Sequence, residues 1–219
     1  MTRIKICGVT SLADARYAAG AGADFVGFVH DKTSPRYIEP SFAKEIINWL
    51  YGPEPVGVFV DEDPERINEI ADQTGLRLAQ LHGRETPTAC AKIRVPVIKA
   101  FRFHPDETVS DLSARIRAFD GAVQYVLIDS FSPDRVGGTG VTNRFEDIAM
   151  LDTSLPMFVA GGLTPENVRR VSELTKPFAV DVSSGVETSP GVKDYDRIDS
   201  FVSALRPTVS SNPNDEDIR

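Results

Sequence analysis

Two short turns of small residues in the last third of the chain have the composition of a phosphate-binding site. Gly161-Gly162 follows the apolar run Pro156–Ala160, and Ser183-Ser184-Gly185 follows the run Phe178–Val182 one repeat later. Small side chains allow backbone N–H groups to come within hydrogen-bonding distance of phosphate oxygens, which a larger side chain would prevent. The sequence therefore predicts a substrate that carries a phosphate.

Cys7 and Asp129 each stand at the end of an apolar run and suggest a base and an acid, respectively. A thiolate can remove a proton and a carboxylic acid can donate one, so this pair could perform acid–base catalysis. Both residues also have a plainer interpretation, because a cysteine is often a small buried apolar residue and an aspartate often caps a turn. The strand-end position of Cys7, with Gly8 after it, favours the catalytic interpretation.

Two further polar side chains and a glycine-rich segment complete the candidate site. Arg36 follows Ser34-Pro35 in a long loop, where its guanidinium could bind a carboxylate through two parallel hydrogen bonds. His82 ends another apolar run and is a further candidate, with a turn histidine bonded to the backbone as the alternative. A segment suited to close over a ligand consists of Gly137, Gly138, Thr139 and Gly140.

These residues need a scaffold that brings the ends of many strands together. The sequence predicts eight strands, at Arg3–Val9, Asp24–His30, Pro55–Val60, Leu78–His82, Pro96–Phe103, Tyr125–Asp129, Pro156–Ala160 and Phe178–Val182. It predicts helices at Leu12–Ala21, Ser41–Leu50, Pro64–Thr74, Thr86–Ile93, Glu107–Phe119, Arg144–Leu151, Pro165–Leu174 and Asp194–Leu205. Eight strand–helix units indicate an α/β protein with a single (β/α)8 TIM barrel, whose active site lies at the carboxyl ends of the strands. A doubly wound sheet is the alternative, although it normally uses fewer strands.

The composition narrows the class of protein. The 219 residues, 41% of them apolar, suffice for one large core, so we expect a single barrel domain over 1–206. The net charge of −8 argues against a nucleic-acid or membrane-surface partner, because both would repel the chain. Together with the lack of a long apolar run, this predicts a cytoplasmic protein. The polar, acidic segment 207–219 is predicted to be a disordered tail.

The two cysteines, Cys7 and Cys90, are too few for a disulfide framework. Cys90 lies within a short predicted helix, Thr86–Ile93, rather than at a strand end. For this cysteine the interpretation as a core residue is therefore favoured.

Several ordered segments carry a resemblance to a known family: Lys5-Ile6-Cys7-Gly8, Ser34-Pro35-Arg36, Gln80-Leu81-His82-Gly83, Ile128-Asp129-Ser130, Gly137-Gly138-Thr139-Gly140, Ala160-Gly161-Gly162 and Asp181-Val182-Ser183-Ser184-Gly185. In this order and spacing they resemble the phosphoribosylanthranilate isomerase family of tryptophan biosynthesis, over nearly the whole chain up to the tail. The resemblance implies that Cys7 is the general base, Asp129 the general acid and Arg36 the ligand of an anthranilate carboxylate. It also implies that the two small-residue turns bind phosphate.

The implied reaction is an Amadori rearrangement of an aminoaldose, N-(5'-phosphoribosyl)anthranilate, to 1-(o-carboxyphenylamino)-1-deoxyribulose 5-phosphate. It needs one acid and one base, so no metal or other cofactor is expected. A related phosphosugar isomerase and a non-catalytic barrel that binds a phosphorylated ligand are the alternatives, because one fold serves many functions. The protein could be a monomer or a homodimer.

The chain departs from the family pattern at two places. The family usually has Phe-Asp-Trp shortly after the glycine-rich segment, whereas this chain has 141–147 without a tryptophan. His30 stands where an aromatic residue, typically phenylalanine, is common in the family. We expect this histidine to alter the wall of the pocket near Arg36.

Overall fold

Eight parallel strands close into a barrel that is surrounded by helices. The computed structural model describes residues 1–130 and 144–206. Each barrel strand pairs with the next in sequence order and the eighth pairs with the first. The strands are β1 Arg3–Cys7, β2 Phe25–Val29, β3 Glu54–Phe59, β4 Leu78–Leu81, β5 Val97–Arg102, β6 Tyr125–Asp129, β7 Met157–Ala160 and β8 Ala179–Val182. The predicted (β/α)8 barrel is therefore confirmed.

A helix follows each of the eight barrel strands. The helices are α1 Leu12–Ala21, α2 Pro40–Asn48, α3 Pro64–Thr74, α4 Pro87–Cys90, α5 Val109–Arg117, α6 Phe145–Ile148, α7 Val168–Thr175 and α8 Tyr195–Leu205. Asp63 caps α3 by accepting hydrogen bonds from the backbone N–H groups of Glu65 and Arg66, and Pro64 occupies the first helical position. Within the described ranges, no helix is long and apolar enough to cross a membrane.

The predicted start of the seventh helix at Pro165 is wrong by three residues, because α7 begins at Val168. The chain makes a turn first, in which the Asn167 side chain accepts a hydrogen bond from the Thr164 backbone and donates one to the Gly162 carbonyl. This side chain satisfies backbone groups locally, as asparagine often does where a turn competes with a helix. The turn thereby continues directly from the Gly161-Gly162 segment.

Aromatic residues fill the barrel interior at the amino ends of the strands. Phe25, Tyr125, Phe158 and Phe178 contact one another, with ring centroids 5.2 to 6.4 Å apart. The Arg3 guanidinium lies over the Phe178 ring, 4.6 Å from its centroid. This packing leaves the opposite end of the barrel, at the carboxyl ends of the strands, for a ligand.

A short hairpin between the last barrel strand and the last helix was not among the predicted elements. After β8 the chain forms a 3-10 turn, Ser184–Val186, and then two antiparallel strands, β9 Glu187–Ser189 and β10 Val192–Lys193. Its reversal at Pro190-Gly191 uses a positive φ of 84° at the glycine. The Gly191 carbonyl accepts a hydrogen bond from Thr10 Oγ1 at 2.7 Å, so the hairpin lies against the loop that follows β1.

Candidate active site

A cavity of about 490 Å³ opens at the carboxyl ends of the barrel strands. It is lined by every described residue that the sequence marks as a candidate: Cys7, Arg36, His82, Asp129, Gly161, Gly162, Ser183, Ser184 and Gly185. Parallel strands end on the same face of the barrel, which explains how residues more than 170 positions apart meet here. The segment Gly137, Gly138, Thr139 and Gly140 lies outside the described residues.

A neighbouring cavity of about 590 Å³ is larger but holds a different set of side chains. It shares only His82 with the candidate residues and extends along β5 and α5. Inside it, the buried Lys99 ammonium forms an ion pair with Glu85 at 2.8 Å and donates a hydrogen bond to the Gly83 carbonyl at 2.8 Å. We therefore assign the candidate active site to the smaller cavity.

Cys7 ends β1 and is 8% exposed, packed beside Val29 and Val58. Burial raises the pKa of its thiol, while the adjacent Lys5 ammonium acts in the opposite direction. Cys90 differs from it: the thiol ends the short helix α4, is 1% exposed, and burial raises its pKa to about 11. The expectation that Cys90 is a core residue agrees with this position.

Asp129 ends β6 and faces the His82 ring, whose Nε2 lies 3.5 Å from Asp129 Oδ2. On its other side, His82 Nδ1 lies 3.1 Å from Gln80 Nε2. With the amide NH2 group of Gln80 toward the ring, Nδ1 is the acceptor, which places the proton of a neutral imidazole on Nε2, toward Asp129. Gln80, His82 and Asp129 therefore form a chain of polar contacts along the cavity wall.

The two small-residue turns pack directly against each other. Gly161 and Gly162 have φ values of 92° and 68°, which side-chain-bearing residues rarely adopt. Ser130 Oγ donates to the Gly161 carbonyl at 3.0 Å and ties the first turn to the end of β6. A side chain at Gly185 would overlap the Leu163 carbonyl oxygen, so glycine is required where the second turn meets the first.

Arg36 reaches the cavity because Gly8 has no side chain. Gly8 adopts a φ of 73°, and a Cβ at this position would overlap Arg36 Cδ and lie 3.0 Å from Ser183 Oγ. The Arg36 side chain occupies the space that Gly8 leaves free. Arg36 thus lies between the ends of β1 and β8.

Glu187 and Lys193, on the β9–β10 hairpin, hold Arg36 and the end of β1. Arg36 donates from Nε to Glu187 Oε1 at 2.9 Å and from Nη2 to Oε2 at 2.6 Å. Lys193 Nζ donates to Glu187 Oε1 at 2.7 Å and to the Cys7 carbonyl at 2.5 Å. Burial by itself would raise the pKa of Glu187, but the hydrogen bonds from Arg36 and Lys193 outweigh it and hold that pKa below its usual value.

Replacement of Glu187 by glutamine is expected to lower the free energy of unfolding by about 3–5 kcal/mol, because it leaves the Lys193 ammonium buried without a carboxylate. The Lys193 and Glu187 side chains are 0% and 3% exposed. Urea unfolding at neutral pH would measure the loss. Glu69→Gln is the matched control, since Glu69 pairs with Arg66 on the surface, where the expected loss is below about 1 kcal/mol. Equal losses in the two variants would contradict a structural role of the buried network.

His30 does not form part of the cavity wall, contrary to the expectation from the sequence. Its neighbour Val29 lines the cavity, while the His30 ring points the other way, 5.2 Å from the Phe59 ring. Its Nδ1 lies 3.1 Å from the Ile38 carbonyl. Alternate side chains of a strand face opposite sides of a sheet, so His30 lies between the barrel and its outer layer.

Comparisons with known proteins identify the family of this chain. Residues 4–204 match the family described as N-(5'phosphoribosyl)anthranilate (PRA) isomerase. A relative named N-(5'-phosphoribosyl)anthranilate isomerase from Geobacter sulfurreducens is 45% identical over 204 residues, which cover 92% of this chain and 97% of the relative. One from Desulforudis audaxviator is 45% identical and covers 95% and 100% of the two chains.

The similar solved structures that we describe are also phosphoribosyl anthranilate isomerases. The crystal structure of phosphoribosyl anthranilate isomerase from Thermotoga maritima has a TM-score of 0.83 and 39% identity, with 94% of this chain and 99% of that chain covered. Another structure of a phosphoribosyl anthranilate isomerase, in complex with reduced 1-(o-carboxyphenylamino)-1-deoxyribulose 5-phosphate, has a TM-score of 0.78 and 38% identity, with 94% and 99% covered. Because both the family match and the close relatives extend over nearly the whole described barrel, this chain belongs to the N-(5'-phosphoribosyl)anthranilate isomerase family.

Proposed function

We propose that this chain converts N-(5'-phosphoribosyl)anthranilate to 1-(o-carboxyphenylamino)-1-deoxyribulose 5-phosphate in tryptophan biosynthesis. One observation carries the proposal: a thiol, a carboxyl, a guanidinium and two small-residue turns line a single cavity at the catalytic end of the barrel. This set supplies a base, an acid, a carboxylate ligand and a phosphate cradle. The related structure that holds the reduced product analogue supports the same substrate class.

Asp129 and Cys7 divide the chemistry between them. Asp129 donates a proton to the furanose ring oxygen as the C1'–O bond breaks, and the nitrogen lone pair forms the C1'=N bond of a protonated Schiff base. The Cys7 thiolate then removes the C2' proton, and the electrons of that C–H bond form the C1'=C2' double bond of an enolamine. The enolamine tautomerises to the ketone, with C1' gaining a proton and the C2' hydroxyl losing one.

Arg36 and the two turns bind the two anionic ends of the substrate. Nε and Nη2 of Arg36 bind Glu187, which leaves Nη1 outside this ion pair and able to donate to the anthranilate carboxylate. The phosphate binds at Gly161-Gly162 and Ser183-Ser184-Gly185, where the absence of bulky side chains lets the backbone approach it. Binding of the carboxylate by Arg36 and of the phosphate by the two turns holds the reacting sugar between them, beside Cys7 and Asp129.

His82 orients the acid. Its Nε2 lies 3.5 Å from Asp129 Oδ2 and Gln80 contacts Nδ1 on the other side of the ring, so the imidazole fixes the position of the carboxyl group in the cavity.

A fluorescence assay tests the proposed reaction. Purified protein is added to freshly generated N-(5'-phosphoribosyl)anthranilate, and the anthranilate-type fluorescence is followed against the spontaneous background. We expect decay well above that background. Folded protein that binds the substrate without accelerating the decay would contradict the proposal and favour a non-catalytic barrel that binds a phosphorylated ligand. Turnover of a different phosphosugar alone would favour a related isomerase.

The proposed partner is the phosphorylated substrate alone, without a nucleic acid or a membrane surface. The net charge of −8 supports this, because polyanions repel an acidic protein. A monomer or homodimer is proposed, and a related phosphoribosylanthranilate isomerase from Thermotoga maritima is described as a dimeric protein from which monomers were generated. The cytoplasm is the proposed location, where the substrate's pathway would operate.

A further inference from the structure

A buried ammonium lies inside the barrel directly below the candidate base. Lys5 is 0% exposed, and its Nζ donates to Asp181 Oδ1 at 2.9 Å. The two residues stand opposite each other in the pairing of β1 with β8, so the contact is built into the register of the barrel. Burying a charged pair is costly, and replacing both partners by apolar residues is often neutral or stabilising, so stability alone explains Lys5 poorly.

Lys5 and Cys7 meet in the space that Gly27 leaves open. Both side chains point inward, two residues apart on β1, and Cys7 is paired with Gly27 on β2. A Cβ at Gly27 would lie 2.8 Å from Cys7 Sγ and 3.1 Å from Lys5 Nζ. The sulfur and the ammonium therefore both lie close to one point, and a side chain there would crowd both of them.

The charges around the sulfur have opposing effects. Burial raises the pKa of the Cys7 thiol most strongly; Lys5 lowers it, Asp181 raises it, and the more distant Lys193 lowers it. Cys7 in turn contributes to the raised pKa of the Arg36 guanidinium, so the two groups interact electrostatically. Burial alone would lower the pKa of Lys5, but Asp181 and Cys7 outweigh this and raise it, so Lys5 remains charged.

We propose that Lys5 is a positioning residue for the base: its ammonium donates to the Cys7 sulfur in the thiolate form, and Asp181 holds the ammonium in place. Without it, the pKa of a sulfur buried among Val29 and Val58 would rise further, and less thiolate would be available to accept the substrate proton. When the thiolate has taken the C2' proton, Lys5 keeps its ion pair with Asp181, so no buried charge loses its partner. The inference rests on the proposed role of Cys7.

The thiol titration of two matched variants tests the inference. Both carry Cys90→Ala, so that Cys7 is the only reactive thiol; one of them also carries Lys5→Met and Asp181→Asn, which removes the ion pair without leaving a buried carboxylate unpaired. The rate of alkylation by iodoacetamide is measured from pH 6 to pH 10. We expect the apparent pKa of Cys7 to be at least about one unit higher in the variant with Lys5→Met, which corresponds to about tenfold less thiolate at neutral pH. Equal values in the two variants would overturn the proposal.

Kinetics of the same variants separate positioning from a structural role. The acidic limb of the kcat profile should move to higher pH with the thiol titration, while KM for the substrate changes little. A loss of thermal stability without a shift of either profile would mean that Lys5 is structural only, and would overturn the proposal. Alkylation requires no substrate, so the thiol titration tests the Lys5–Cys7 contact independently of the isomerase activity. If the titration shifts but the parent protein has no isomerase activity, the contact is supported and the proposed function is contradicted.

Gly27→Ala provides a second test in case the variant with Lys5→Met does not fold. This variant keeps both charges but adds a methyl group that would lie 2.8 Å from the sulfur and 3.1 Å from the ammonium, so the contact between the two groups must change. The apparent pKa of Cys7 is expected to rise relative to a Cys90→Ala parent. An unchanged value in folded Gly27→Ala would overturn the proposal, because the two groups would then be independent.

Discussion

Replacement of Asp129 by asparagine is expected to lower kcat by about 10²–10⁴-fold, the contribution typical of a positioned general acid. The amide has nearly the shape of the carboxyl group but has no acidic proton to give to the furanose oxygen. KM should change much less, because Arg36 and the two turns bind the substrate and are left intact. Steady-state kinetics by the fluorescence assay would separate the two parameters.

The control for this experiment is Asp120→Asn. Asp120 is exposed in the turn after α5 and does not line the cavity, so its replacement should leave kcat unchanged. Thermal unfolding of both variants would show that any loss of activity does not arise from unfolding. Turnover of Asp129→Asn close to that of the parent protein would remove Asp129 from the acid role and make His82, its neighbour, the next candidate.

The strand ends were predictable from the sequence because the pattern that defines them is local. The predicted and observed bounds of β6 agree at Tyr125–Asp129, and the predicted strand Pro156–Ala160 differs from β7 by one residue. Short β-branched runs, each followed by a small or polar residue, mark a buried parallel strand and its carboxyl end. The barrel then brings these ends together, so Cys7, Asp129 and the two turns could be assigned to one site from the sequence alone.

The partners of these residues were not predictable in the same way, because they depend on register. Lys5 stands in Ile4-Lys5-Ile6 and Asp181 in Val180-Asp181-Val182, so each is a charge inside an apolar run. A buried charge needs a partner, and β1 and β8 are neighbours in a closed barrel. The sequence thus contained the signal, but only the pairing of the two strands shows that these charges stand opposite each other.

The β9–β10 hairpin was missed for a different reason. Pro190-Gly191 is a turn signal between two short segments, but strands of three and two residues have no detectable periodicity. The predicted start of α7 at Pro165 failed because Asn167 stabilises a turn there, which a Thr-Pro start signal does not exclude. Long-range hydrogen bonds to Glu187 fix the position of Arg36 and form only after the chain has folded, whereas the start of α7 depends on the local bonds of Asn167.

Replacement of Cys7 by serine is expected to lower kcat by about 10²–10⁴-fold with little change in KM. The hydroxyl is nearly the same size as the thiol, so the packing against Val29 and Val58 should remain, but an alcohol is far less acidic and supplies almost no anion at neutral pH. Cys90→Ala is the matched control, since Cys90 is buried in α4 and does not line the cavity.

The cysteine prediction also distinguishes the roles of the two catalytic groups. Removal of the acid should slow ring opening, whereas removal of the base should leave ring opening intact and block proton removal from C2'. Borohydride reduces a Schiff base to a stable amine. When the reaction is stopped with borohydride, we therefore expect more of this open-chain amine from Cys7→Ser than from Asp129→Asn. Equal trapping in the two variants would mean that Cys7 and Asp129 act on the same step, and Cys7→Ser with near-normal turnover would show that another group removes the C2' proton.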